Sequence, residues 1–213
     1  GGGAVAVSNR MENGQRQVQI QSADAGSILR FFDYYEKMSG GSINISLGSQ
    51  GDGPLRGSID ARDFILVNEP RMRSLVGGKP GDGGPSLKDA VKKDIDVSKV
   101  RFSRGSASIV KGEESLSLAD GILRGDLIGL AFKGTAYDPG GNINITGTFM
   151  PAYGLNRIFG EIPLLGQLLG NGEERGLIGI TFRLSGKAKK PVLSVNPISL
   201  IAPGIFRQIF EFR

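Results

Sequence analysis

The sequence predicts a mainly β protein with minor α content. The expected form is a twisted, curved antiparallel sheet making a half-open groove or roll, closed at one end by short amphipathic helices. Three observations predict it. Apolar and polar residues alternate with period two along most of the chain, the mark of strands with one greasy face and one wet face. Glycine, 34 of 213 residues, falls between the strand-like runs, where it marks turns rather than a low-complexity tract. A few apolar segments carry the i, i+3, i+4, i+7 spacing of a helix side instead.

Taken in order, "RQVQIQS" (16–22) sets Val18 and Ile20 against glutamines. Asp24 caps a helix over "AGSILRFFDYYEKM", with Ile28, Leu29, Phe31, Phe32 and Tyr35 on one side. "SINISLG" (42–48) sets Ile43, Ile45 and Leu47 on one face, after a reversal at Ser39–Gly41. "LRGSIDARDFILVN" (55–68) reads as one long strand. Ser86 caps a short polar helix, "LKDAVKKD", and "KVRFSRGSASIVKG" reads as a hairpin turning at Arg104-Gly105. "SLSLADGILRGDLIGLAFKGTAYD" supplies two further strands, the second with Ile128, Leu130 and Phe132 on one face. "DPGGN" (138–142) makes a tight reversal into "NINITGTF", whose apolar side carries Ile143, Ile145 and Phe149. "LIGITFRLSG" presents Ile178, Ile180 and Phe182, and "PVLSVNP" is a last short strand.

Between those last hairpins stands "MPAYGLNRIFGEIPLLGQLLG". Leu155, Ile158, Phe159 and Ile162 follow helical spacing, and Pro163 stops that helix and opens a second one that contains Leu165. Pro203 opens a C-terminal helix with Ile205, Phe206, Ile209 and Phe210 along one side. These stripes need a covering surface; they plug the end of the sheet or meet a membrane surface. None of them reaches the ~20 apolar residues of a membrane-spanning helix.

The chain reads as a single module over 1–213. The Gly/Pro-rich stretch 77–86, "GGKPGDGGPS", divides it into possible lobes, 1–77 and 86–213. "GGSINIS" (40–46) and "GGNINIT" (140–146) echo one another across it, by duplication or by coincidence. "GGGAVAVSNR" starts inside a strand, with neither a basic nor an apolar leader region. The expectation is an excised piece whose targeting or anchoring segment lies upstream.

The chemical inventory argues against an enzyme. There is no His and no Cys, which removes imidazole bases, thiol nucleophiles, disulfides and thiolate metal sites, so no cofactor or metal is expected. Glu173 and Glu174 are neighbours in a Gly-rich turn, which points them apart, and "GGKPGDGGPS" lacks the spacing of a phosphate loop. Net charge is +5 with no block of like charges. That permits contact with anionic lipid heads, at Arg183, Lys187, Lys189 and Lys190 for example, and gives no reason to expect nucleic acid.

The stretch from Gly147 onward resembles the C-terminal region of the AsmA-like family of Gram-negative envelope proteins. Pro151, Leu155 and Asn156 carry the likeness, with "IPLLG" (162–166), "GLIGITFRLSG" (176–186), "PVLSVNP" (191–197) and the Ala202–Phe206 stretch. "ADAGSILRFF", "GGSINISL" and "LRGSIDARDFILVNEP" are similar upstream, so the likeness covers nearly the whole chain. The resemblance implies a periplasmic body tethered to the inner membrane by a segment absent from this chain. It also implies a long curved sheet with an apolar floor, and a non-enzymatic part in phospholipid transport or outer-membrane homeostasis. The groove-lining residues are then the alternating Ile, Leu and Phe named above, with a phospholipid or other acyl-chain lipid as partner. The rival reading is a docking module that binds another envelope protein through its amphipathic helices, with no lipid cargo. A glycan-binding domain fits poorly with Trp 0 and Tyr 4.

Overall fold

The computed structural model describes residues 4–77, 96–126, 128–151 and 177–201. Within them the chain is a meander. Strands β1 (Val5–Glu12), β2 (Gln15–Ser22), β3 (Met38–Gln50), β4 (Leu55–Val67), β5 (Lys99–Lys111), β6 (Leu116–Gly125), β7 (Ile128–Tyr137), β8 (Asn142–Pro151), β9 (Leu177–Lys187) and β10 (Val192–Ile201) lie side by side in sequence order. Each pairs antiparallel with the next, and β1 does not meet β10, so the sheet is open. Helix α1 (Ala25–Phe31) joins β2 to β3, and α2 (Pro70–Gly77) follows β4.

The two ends of the sheet differ. Every odd-to-even connection is a tight reversal. Asn13 and Gly14 both adopt positive φ (51° and 72°), the two-residue turn whose twist matches that of the strands. At Asp138–Asn142 the Asp138 carboxylate accepts from the Asn142 N–H at 2.8 Å, while the Asp138 carbonyl accepts from the Gly141 N–H at 2.8 Å. The opposite end carries α1, α2 and the strand ends that flank segment 152–176.

Helix α1 is held by its cap. Asp24 Oδ1 accepts from the Ser27 N–H at 3.0 Å and Oδ2 from the Ser27 hydroxyl at 2.7 Å. Gly26 lets the helix lie against β3, because a Cβ there would stand 2.5 Å from the Met38 carbonyl oxygen. Arg30 then donates to that same carbonyl at 2.6 Å. Helix α2 begins at Pro70, where the missing N–H costs nothing. Glu69, 3% exposed, precedes it; its carboxylate accepts from the Arg71 N–H, the Arg71 guanidinium and the Tyr35 hydroxyl.

Irregularities bend the sheet. Pairing skips Gly41 in β3, Asp63 in β4 and Ser103 in β5 at one common level, and β6 has no matching extra residue. Asp120 adds a residue to β6 further along, with φ 48°. The sheet turns enough to bring α2 against β10.

Several sequence readings need correction. Arg104-Gly105 is no turn: β5 runs unbroken from Lys99 to Lys111, and Gly105 faces the core. Ser39–Gly41 is no reversal either, since Gly40 and Gly41 lie inside β3. In the two echoing stretches the Ile-x-Ile pairs both lie in strands, β3 and β8, while Gly40-Gly41 sits inside a strand and Gly140-Gly141 in a turn. The first helix ends at Phe31, so Phe31 and Phe32 do not join an apolar stripe and stand 83% and 57% exposed. The last strand is longer than "PVLSVNP". Strand β1 falls on the N-terminal stretch read as lying in a strand, whereas helix α2 was not expected. The polar helix after Ser86, nearly all of the 77–86 stretch, the 155–170 helices and the C-terminal helix lie outside the described residues; β4 and β5, on either side of the first of these gaps, pair directly.

An apolar sheet face as candidate functional site

Register decides which side chains share a face. One line crosses the whole sheet from Asn9 through Val18, Leu47, Gly57, Ile109, Leu118, Gly134, Ile145 and Leu184 to Leu193. The next runs from Val7 through Ile20, Ile45, Ile59 and Ala107, then past the Asp120 bulge to Gly121, Phe132, Gly147, Phe182 and Val195. A third takes Val5, Ser22, Ile43, Ala61, Gly105, Leu123, Leu130 and Phe149. Ten of the twelve strand residues predicted to line a groove fall on this face by register: Ile43, Ile45, Leu47, Ile128, Leu130, Phe132, Ile143, Ile145, Phe149 and Phe182; the side chains of Ile178 and Ile180 lie outside the described residues.

Among the described residues the face is packed at the helix end and less completely covered at the other. Phe102, Phe149, Ile128 and Val100 are fully buried at the helix end, with Met38, Phe64, Leu66, Met72, Leu75 and Val97 around them. The Phe64 and Phe102 rings stack at 5.2 Å. Four of the predicted lining residues, Ile43, Ile128, Leu130 and Phe149, belong to this packed core. Toward the tight turns the same face is half-buried at Ile45, Leu47, Leu118, Phe132, Ile145, Phe182, Leu184, Leu193 and Val195, while Ala107 and Ile109 in β5 stay buried at its middle. Glycines keep it smooth. A Cβ on Gly121 would meet the Phe132 ring at 2.4 Å, and one on Gly147 would meet the Phe182 ring at 2.6 Å. Each ring thus lies flat across the glycine of the neighbouring strand.

The opposite face is polar. Gln21 donates to Asn44 at 3.2 Å, and Arg183 donates to Asn144 at 3.1 Å. Arg62 and Arg104 stand directly opposite one another, and Asp60 bridges them at 2.8 and 2.7 Å. Partial burial works against the Asp60 carboxylate, yet the hydrogen bonds from both guanidinium groups outweigh it and hold the carboxyl below the usual range. Two shallow concavities open on this polar side. One of about 740 Å³ lies over Gln17, Gln19, Ser46, Arg56 and Ser58; the other, of about 680 Å³, lies over Ala131, Lys133, Thr146, Thr148, Thr181 and Arg183.

Of the four basic residues proposed for a rim, Arg183 is therefore on the polar face. Lys187 donates to the Gly140 carbonyl at 2.7 Å, and Lys189 and Lys190 are exposed in the β9–β10 turn, beside the half-buried half of the apolar face. The helix residues Leu155, Ile158, Phe159, Ile162, Leu165, Ile205, Phe206, Ile209 and Phe210 lie outside the described residues. Reading the sequence missed an exposed aromatic group at the end of α1, where Phe31 and Phe32 meet edge to face at 5.2 Å and Tyr34 lies beside them. Among the described residues no acidic cluster is arranged to hold a metal, and no helix is long and apolar enough to cross a membrane. No family model, curated protein or solved structure matches the chain.

Proposed function

We propose that the half-buried part of the apolar face shelters lipid acyl chains, in a non-enzymatic periplasmic module of an AsmA-like protein that takes part in phospholipid transport or outer-membrane homeostasis. The observation that carries this reading is the graded cover of one continuous apolar face, packed at the helix end and incomplete toward the tight turns. A sheet face of this kind gains by covering its hydrocarbon surface. Acyl burial is worth about 0.8 kcal/mol per CH₂, so a chain of ~16 carbons gains on the order of 10 kcal/mol without any specific polar contact. Lys189 and Lys190 stand at that end of the sheet, within reach of a phosphate head.

Photo-crosslinking tests the reading with a built-in control. A photoreactive residue at Ile145 or Leu184 faces the apolar side, and one at Thr146 faces the polar side. Expression in a Gram-negative periplasm is expected to give phospholipid adducts at Ile145 and Leu184 and none at Thr146. Equal labelling on both faces, or none on either, overturns it.

The second reading is a docking module without lipid cargo. It is favoured by Phe31, Phe32 and Tyr34, whose exposure suits a protein contact as well as a membrane surface. Replacing Phe31 and Phe32 with Ser leaves the Ile145 adduct intact under the first reading.

A further inference from the structure

The hollow on the polar side of β7–β9 carries two cations that share no protein counter-ion. Register sets Lys133, Thr146, Arg183 and Ser194 in one line across β7 to β10. Ala131, Thr148 and Thr181 form the next line. Both lines border the hollow of about 680 Å³. The second line is made of small side chains, which keeps the floor low, and Lys133 and Arg183 flank Thr146 from the strands on either side. Those two strands lie about 10 Å apart, twice the strand spacing, so two long side chains can close on one group above Thr146. Arg183 Nε donates to Asn144 at 3.1 Å, which fixes the plane of the guanidinium.

Other cations are matched within the protein. Asp60 bridges Arg62 and Arg104, and Lys187 donates to the Gly140 carbonyl. Lys133 and Arg183 form no ion pair with a described carboxylate. One carboxyl borders the hollow, that of Asp120 on the β6 bulge, and it bridges neither cation. Two positive groups against one negative group leave the hollow positive.

We infer that this hollow binds the phosphate ester of a hydroxylated compound. A guanidinium and an ammonium converging on one point take the oxyanion. Threonine hydroxyls donate to its other oxygens, and the Asp120 carboxylate accepts from a hydroxyl of the ligand, which selects a sugar or glycerol phosphate over bare phosphate. An acyl chain on the apolar side is separated from this hollow by the sheet itself. The two readings therefore stand or fall separately.

Backbone amide shifts in an NMR titration test it residue by residue. The probes are glycerol phosphate, glycerol, inorganic phosphate and vesicles of phosphatidylglycerol. Millimolar glycerol phosphate is expected to shift the Lys133, Thr146, Thr148 and Arg183 amides, and glycerol to leave them in place. Lys133→Gln and Arg183→Gln should each weaken binding about tenfold while the amides of the other strands keep their positions. Both side chains are exposed, so the fold survives their loss. Lys189→Gln and Lys190→Gln, exposed cations elsewhere, should leave binding unchanged. Asp120→Asn should weaken glycerol phosphate and spare inorganic phosphate. A response to glycerol phosphate without one to vesicles identifies a soluble ester; broadening of the same amides by the vesicles identifies a lipid headgroup. No response to any phosphate probe, a response that Lys133→Gln and Arg183→Gln retain in full, or equal shifts at Lys189 and Lys190 overturns the inference.

Discussion

Gly121 and Gly147 occupy positions where a single methyl group has nowhere to go. At Gly147 the added carbon would stand 2.4 Å from the Ala131 carbonyl oxygen as well as against the Phe182 ring. Gly121→Ala and Gly147→Ala are therefore expected to lose about 1–3 kcal/mol in urea unfolding, as overpacked cores do. Glu69 tests a different physics. Its buried carboxylate joins Tyr35, beyond α1, to Arg71 in α2. Burial, and then the Glu69 carboxylate it donates to, push the Tyr35 phenol well above its ordinary range. Tyr35→Phe leaves one carboxylate oxygen without its donor, and should cost about 1–2 kcal/mol by the same measurement. Acid weakens the fold through other groups. Asp24, Asp96 and Asp138 are held below the ordinary value of 3.8, the first by its hydrogen bonds with Ser27, the second by those with Ser98, the third by those with Asn142. A carboxyl with a depressed folded pKa stabilises above its unfolded pKa, and that contribution is lost as pH falls through the folded value. The urea midpoint is thus expected to hold from pH 7 to about 5 and to drop below about 4, with a smaller drop in Asp138→Asn.

At the scale of elements, strand periodicity was legible and its irregularities were not. Alternation in "SINISLG" and "NINITGTF" located β3 and β8 because one face is apolar along its whole length. The supposed turn at Arg104-Gly105 failed for a tertiary reason. Gly105 is small because Leu123 and the Phe64 ring approach it, at 2.8 and 3.3 Å from an ideal Cβ, and no reversal is needed there. Asn13-Gly14, a strong short-range hairpin signal, sets where the N-terminal strand β1 ends and how it pairs with β2. Helix α2 offered little to read: Met72 and Leu75 alone among its described side chains are buried, between arginines. Pro70 opens it, and the Glu69 carboxylate accepts from the Arg71 N–H in its first turn. Gly14→Ala tests the turn, since φ 72° strains any side chain; a loss of about 1–2 kcal/mol is expected, with faster amide exchange confined to β1 and β2.

For the molecule as a whole, the sequence conveyed an antiparallel meander with one apolar side, because both follow from period two and the glycine turns between strands; that the sheet stays open was what the resemblance implied. The sequence did not convey how that side is divided. Phe102, Phe149 and Ile128 join one packed cluster with Met72 and Leu75 of α2, a tertiary outcome that no spacing along one strand records. The proposed function rests on the other half of the face, from Ile45 across to Val195. Native mass spectrometry of the protein purified from a Gram-negative periplasm in mild detergent tests it most directly. The account predicts a population carrying phospholipid mass, lost in Ile145→Asp and Phe182→Asp variants that retain the wild-type β-sheet signal in circular dichroism. Protein wholly free of lipid, or lipid retained equally by those folded variants, would contradict it.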